Sequence, residues 1–261
     1  MKKTTHRPAQ KQQRIIALIN QKGGVGKTTS VVNVGAGLAA LKYRVLLVDL
    51  DPQAHLTYSL GVNADELEAT IYHLLKGEAD FSQARLEIHN LALLPASIDL
   101  AGAEIEFSTE VGREAFLANV LKGQSAYDFI LIDCPPNLGL LTLNALTAAK
   151  EVFVPLQAEY LSIKGLTKLM EMVEKVKQRV NPALKISGMI ATQYDRRLRL
   201  HNEVFENLKN HFGDKLFKTF IRRNVTLAEA SSFGQSIFDY APHSYGAEDY
   251  RSLVQEILKM G

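Results

Sequence analysis

The sequence predicts an α/β fold, a doubly wound and mostly parallel β-sheet flanked by helices. Two observations predict it. Short apolar runs of strand length alternate along the chain with segments whose apolar residues recur every three or four positions, the alternation that builds parallel sheets. The runs are also continuous rather than alternating, as suits strands covered on both faces.

The first strand is expected over residues 14–20 (RIIALIN), the second over 44–50 (RVLLVDL) and the third over 128–133 (DFILID). Residues 151–156 (EVFVPL), 186–191 (ISGMIA) and 217–221 complete the expected set. Helical spacing is clearest over residues 28–41 and 163–180. No repeat, low-complexity tract or long linker divides the chain. Residues 14–261 therefore read as one domain, behind a basic tail over residues 1–13 that is expected to be flexible.

The chain has 261 residues, 46% of them hydrophobic and 22% charged, which excludes the disordered, collagen-like and disulfide-scaffold classes. The single cysteine, Cys134, can form neither an intrachain disulfide nor a CxxC metal site, and it fits a reducing compartment. The polar first fourteen residues lack the apolar core of a secretory signal. No apolar run approaches the roughly 20 residues of a membrane span. The net charge of +2 hides an uneven distribution. Residues 64–114 hold eleven acidic side chains against three basic ones, whereas residues 185–225 hold nine Lys and Arg against four acids. Such asymmetry can mark an anionic partner, although a solvated charged face produces it too.

Ligands of doubly wound sheets sit at the carboxyl ends of strands, so the residues after each strand carry the chemistry. After the first comes Asn20-Gln21-Lys22-Gly23-Gly24-Val25-Gly26-Lys27-Thr28-Thr29, opening a helix. Glycines let a backbone wrap a phosphate, with successive N–H groups and the helix N-terminus supplying partial positive charge. Lys27 is placed to reach the β- and γ-phosphates, and the Thr28 hydroxyl to ligate Mg²⁺. Against the pattern G-x-x-x-x-G-K-[ST], only Gln21 departs, standing where the first glycine belongs. The second strand ends in Asp49-Leu50-Asp51-Pro52-Gln53, carboxylates that can hold Mg²⁺-bound or attacking water. The third delivers Asp133 before Cys134-Pro135-Pro136, an aspartate suited to holding Mg²⁺ through water. Cys134, with no histidine nearby in sequence, reads as a small buried filler.

Lys22 ahead of the glycine pair makes KGGVGKTT resemble the deviant Walker A motif of the ParA/MinD ATPases, and DLDPQ and DCPP resemble that family's two switch segments. The resemblance implies an ATP loop of Lys22, Gly23, Gly24, Val25, Gly26, Lys27, Thr28 and Thr29. It implies that Lys22 crosses a nucleotide-sandwich dimer to touch the partner subunit's ATP phosphates. Lys27 then serves catalysis beside Lys22, Asp51 positions the hydrolytic water, and Thr28, Asp51 and Asp133 surround Mg²⁺. Asp49 is expected to be structural, hydrogen-bonding the phosphate loop. Residues 154–162 (VPLQAEYLS) resemble the family's P-x-Q-x-E-x-x-S segment, and residues 221–225 (IRRNV) its I-P-R-N-V segment, which helps hold adenine through Asn224. Here Arg222 stands in place of the usual proline.

Within the family the chain is most similar to the small chromosomal, Soj-like ParA proteins. Thirteen residues ahead of the first strand leave no room for the helix-turn-helix domain of long plasmid types. MinD proteins end in a membrane-targeting amphipathic helix. Residues 251–261 carry Glu256 and no Phe or Trp, so Leu253, Val254, Ile257 and Leu258 are expected to pack on the body, leaving no stable membrane anchor. One cysteine per subunit rules out a nitrogenase-type cluster. The function implied is an ATP-dependent switch for chromosome or plasmid partitioning. ATP closes a homodimer that binds double-stranded DNA non-specifically through Arg196, Arg197, Arg199, Arg222 and Arg223, and a ParB-like partner stimulates the hydrolysis that releases it. The protein is then cytoplasmic, and on the nucleoid when ATP-bound. The alternative is a MinD-like or other positioning ATPase acting on a membrane or protein cargo. A metabolic ATP-dependent ligase is more distant, since no substrate-binding motif for one is found.

Overall fold

A computed structural model describes residues 12–157 and 162–260. Residues 1–11 of the expected tail and 158–161 of the P-x-Q-x-E-x-x-S segment lie outside the described residues. The chain runs β1 (Arg14–Leu18), α1 (Lys27–Ala40), β2 (Val45–Asp49), α2 (His55–Ser59), α3 (Ile71–Lys76), α4 (Phe81–Ala84), β3 (Leu86–Ile88) and β4 (Leu91–Leu94). It continues through α5 (Leu100–Glu106), α6 (Phe116–Leu121), β5 (Phe129–Asp133), α7 (Leu140–Ala148), β6 (Glu151–Gln157), α8 (Ser162–Arg179) and β7 (Lys185–Thr192). It ends with α9 (Arg199–Phe212), α10 (Val225–Ser232), α11 (Ile237–Tyr240) and α12 (Tyr245–Lys259). The sheet has seven strands in the order β3-β4-β2-β5-β1-β6-β7, parallel except for β3.

Every residue of β1, β2 and β5 is buried, and successive side chains enter opposite layers, as the period of a strand requires. Ile15, Ala17, Leu46, Val48, Ile130 and Ile132 pack with Leu141 of α7 and Leu169 of α8. Ile16, Leu18, Leu47 and Leu131 pack with Val31 and Leu38 of α1 and with Leu253, Val254 and Ile257 of α12. Each fully buried side chain of this size contributes about 1.5–3 kcal/mol. The apolar face of the last helix therefore lies in the core, with Leu258 packed partly buried against it. Among the described residues no helix is long and apolar enough to cross a membrane.

In its strands the structure departs from the sequence reading in two places. Residues 217–221 do not form a ladder beside β7. They meet it at their two ends, where the Phe217 N–H donates to the Met189 carbonyl at 3.0 Å and the Ile221 N–H to the Ala191 carbonyl at 2.8 Å. The intervening N–H groups of Lys218 and Thr219 donate instead to the Glu256 carboxylate, at 2.9 and 2.7 Å. The second departure is the edge hairpin of β3 and β4, which the sequence reading did not include. Its two-residue turn, His89-Asn90, has φ of 49° and 64°, the left-handed pair that a tight hairpin needs.

One buried ion pair joins β1, β6 and α12. Arg14 donates from Nε and Nη2 to Glu151 at 2.6 and 2.7 Å, and from Nη1 to the Ile257 carbonyl at 2.6 Å. Glu151→Ala leaves a buried guanidinium without its counter-charge and is expected to lower stability by about 3–5 kcal/mol. Urea unfolding measures this, and a loss below about 1 kcal/mol would contradict the role given to the pair.

Candidate functional site

β1, β2 and β5 end side by side, with Leu18 and Asp49 both paired in register with Asp133. The loop after β1 passes over these ends into α1. Gly24 and Gly26 hold φ of 71° and 84°, values that a side chain would strain. The loop is tied down from the far strands. Asn20 donates to the Pro155 carbonyl at 2.7 Å, and the Thr192 hydroxyl to the Val25 carbonyl at 2.8 Å. Gln157 and Gln193 both donate to the Gly24 carbonyl, at 3.2 and 2.8 Å. Thr192 and Gln193 escaped the sequence reading, because a polar residue at a strand end carries no local signal of the loop it will meet.

α1 begins at Lys27, which is buried, and Gly26 provides no side-chain cap for its first turn. The Thr28 hydroxyl donates to Asp133 Oδ2 at 2.5 Å, while the buried Asp133 Oδ1 has no hydrogen-bond partner. Burial first, and then the nearby Asp49 charge, push the Asp133 carboxyl well above the usual range. An ionised carboxylate here needs a cation or its water. No group of three His, Cys, Asp or Glu is gathered among the described residues. The Thr28 hydroxyl and the open oxygen of Asp133 fit an ion such as Mg²⁺, which uses one or two carboxylates and completes its shell with water and a ligand's phosphate oxygens.

Asp51 follows β2 and is buried, with Oδ1 accepting from the Gln53 N–H at 3.0 Å. It lines a cavity of about 280 Å³ together with Gln53, Glu104, Pro135, Pro136 and Asn137. Asp49 corrects the expectation made for it. Its carboxylate accepts from the N–H of Asp51 and from the N–H and hydroxyl of Thr57, at 3.1, 2.9 and 2.7 Å, so it fixes the turn into α2 rather than the phosphate loop. The Thr57 hydroxyl also accepts from the Ala96 N–H at 3.0 Å. Cys134 is fully buried, as a filler would be.

Lys22 is exposed, and its ammonium donates to Gln157 of its own chain at 2.8 Å. A second cavity, of about 320 Å³, opens beside the helix start, between Gly26 and Thr29 on one side and Arg222, Arg223 and Asn224 on the other. Asn224 caps α10, its Oδ1 accepting from the Thr226 N–H at 3.0 Å. The remaining arginines lie beyond this cavity. Arg197 pairs with Asp195 at 2.7 Å, Arg199 with Glu203 at 2.7 Å, and the Arg196 guanidinium stacks 4.6 Å from the Phe220 ring centre. Arg197 holds the Asp195 carboxyl down to about 2. Arg223 is exposed. Arg222 differs from these, with its guanidinium engaged by Asp249 and Glu248.

A glycine-bent loop feeding a buried lysine into a helix, above an aspartate paired to the helix's threonine, defines a P-loop ATPase site. The family model described as "AAA domain" matches residues 13–186. The chain is 47% identical over 248 residues to the chromosome-partitioning ATPase Soj of Treponema pallidum, covering 94% of this chain and 97% of the relative. It is 43% identical over 250 residues to the chromosome partitioning protein ParA of Caulobacter vibrioides, covering 94% of each. Among solved structures, a Mycobacterium smegmatis protein named cobyrinic acid a,c-diamide synthase, with bound ADP and magnesium, matches with a TM-score of 0.84 and 38% identity over 95% of each chain. The chain belongs to the Soj/ParA family of partitioning ATPases.

The Asp49–Thr57–Ala96 chain generates a stability prediction. Thr57→Val removes a hydroxyl that is both donor and acceptor inside the core, and is expected to cost about 1–3 kcal/mol. Chemical denaturation measures it, and an unchanged midpoint would show that the chain does not brace the turn.

Proposed function

We propose that this chain is an ATP-driven partitioning switch, carried most directly by the Thr28–Asp133 pair beside Lys27 at the start of α1. Bound Mg²⁺ would neutralise charge on the transferring phosphoryl group, with Thr28, Asp51 and Asp133 around it. The N–H groups of residues 23–29 cradle the phosphates, and Lys27 meets them inside the loop. Asp51, at the wall of its own cavity, orients the attacking water. With no covalent intermediate to form, catalysis rests on positioning and on charge placed in advance.

Lys22 supplies the last charge in trans. In a single subunit it rests on Gln157, and an exposed bond of this kind is easily exchanged. ATP offers Lys22 a γ-phosphate across a face-to-face homodimer, which ADP lacks. The dimer presents Arg196, Arg197, Arg199 and Arg223 of both subunits to double-stranded DNA, without reading sequence. A ParB-like protein accelerates hydrolysis and resets the cycle, which runs in the cytoplasm with the ATP state on the nucleoid. The 43–47% identity to partitioning proteins over nearly the whole chain favours this reading over the ligase suggested by the Mycobacterium neighbour's name, at 38%. The burial of Leu253, Val254 and Ile257 disfavours a MinD-like membrane helix, which would need those side chains outside.

Light scattering tests the switch. Wild type and Asp51→Ala are expected to double in mass with Mg·ATP and not with ADP, whereas Lys22→Ala stays monomeric. Equal masses for Asp51→Ala in both nucleotides would refute the dimer.

DNA binding has its own test. Replacing Arg196, Arg197 and Arg199 together with Glu is expected to abolish ATP-dependent retardation of DNA while leaving dimerisation intact. In the wild type, binding is expected to fall by roughly 0.9 log units per log salt for each phosphate neutralised. Retardation that survives the triple substitution would place the surface elsewhere.

A further inference from the structure

Arg222 lines the 320 Å³ cavity two residues before Asn224. Its Nε donates to Asp249 Oδ1 and Oδ2 at 2.9 and 3.0 Å, and its Nη2 to Asp249 Oδ1 at 2.5 Å. Nη2 also reaches Glu248 at 2.7 Å, and the guanidinium lies 4.3 Å from the centre of the Tyr245 ring. The main-chain N–H of Arg222 donates to Asp249 as well, at 2.9 Å. Asp249 is nearly enclosed, with its side chain 8% exposed.

The neighbouring residue of α12 grips the opposite wall. Tyr250 is buried, lines the same cavity and shares a hydrogen bond of 3.1 Å with Ser30 of α1. Adjacent residues of one helix thus hold both sides of the cavity, Tyr250 the helix that leaves the phosphate loop and Asp249 the segment that carries Asn224. A proline at position 222 has neither the N–H nor the guanidinium to make the second grip, and would set the backbone by its ring alone.

We propose that Arg222 and Asp249 form a positioning pair for the base subsite of the nucleotide pocket. By anchoring the 221–224 segment to α12, the pair fixes Asn224 and the wall against which the base of a bound nucleotide packs. The pair thereby sets how much the base adds to phosphate binding. This rests on the reading of the cavity as part of the ATP site. It also removes Arg222 from the DNA surface, because one guanidinium held between two carboxylates offers a phosphate backbone no net positive charge.

Calorimetry in Mg²⁺ with two probes, ATP and inorganic triphosphate, tests the proposal. Arg222→Ala and Asp249→Ala are each expected to weaken ATP by about tenfold or more, a change typical of losing a charge-assisted pair. Triphosphate affinity is expected to stay within about twofold, since the pair acts on the base and not on the phosphate loop. The double variant is expected to lose no more than the worse single one, the signature of two groups acting as one. Arg222→Lys keeps the charge without the two-pronged bond and is expected to show the same split in smaller degree, which covers a failure of Arg222→Ala to fold. Unchanged ATP affinity in the single variants, or equal losses for both probes, would overturn the proposal. A wild type that binds neither probe overturns the ATP reading itself, and the base subsite with it.

Discussion

Asp133 is a fully buried carboxyl whose surroundings disfavour a charge, and the structure around it is arranged about that constraint. Three parallel strands bring it there, because the in-register pairing of β1 and β2 with β5 ends all three at one level. The chain can then place Thr28 on one oxygen, leaving the other without a partner. A second buried carboxylate, Asp49, raises the cost of ionising the first. Thr57 and the Asp51 N–H bond both oxygens of Asp49, whereas Asp133 keeps one oxygen without a partner. That division separates an aspartate whose two oxygens the protein bonds from one that keeps an oxygen without a partner, although both terminate neighbouring strands.

The phosphate loop is shaped by glycine but held by residues distant in sequence. Gln157, Thr192 and Gln193 all bond its carbonyls from the ends of β6 and β7. Gln157 serves a second purpose, receiving the Lys22 ammonium. The loop and its outward lysine thus share a support.

The five parallel strands around the site were legible because continuous apolar runs can be buried only between two layers. The loop was legible because glycine and lysine at fixed spacing have few other uses. The edge hairpin was not, since Leu-Ala-Leu-Leu suits a helix as well as a strand, and His89-Asn90 lacks the glycine that marks most tight turns. Residues 217–221 were over-read for the opposite reason. Their composition suits a strand, yet Glu256, nearly forty residues on, takes two of the N–H groups a ladder would use. Arg222 was read both by its charge, for the DNA surface, and by its place in the IRRNV segment, for the adenine pocket, while its partners Glu248 and Asp249 come together with it only in the fold. Local pattern carries the elements and the phosphate loop. Long-range pairing decides which charges remain to act on a partner.

The same distinction bears on the basic surface. Arg197 and Arg199 are paired with acids, but their side chains are 89% and 92% exposed, and pairs of that kind are worth at most about 1 kcal/mol. A DNA phosphate can displace Asp195 or Glu203 at little cost, whereas it cannot displace the enclosed Asp249 from Arg222. Each subunit therefore offers a few weakly held, exchangeable cations. In the proposed dimer the two subunits double the cations on one rigid body, and avidity rises by roughly 10²-fold or more without any new contact within a subunit. In the proposed cycle, weakness in the single subunit is the property that makes DNA binding conditional on ATP, because a surface strong enough to bind alone would ignore the nucleotide.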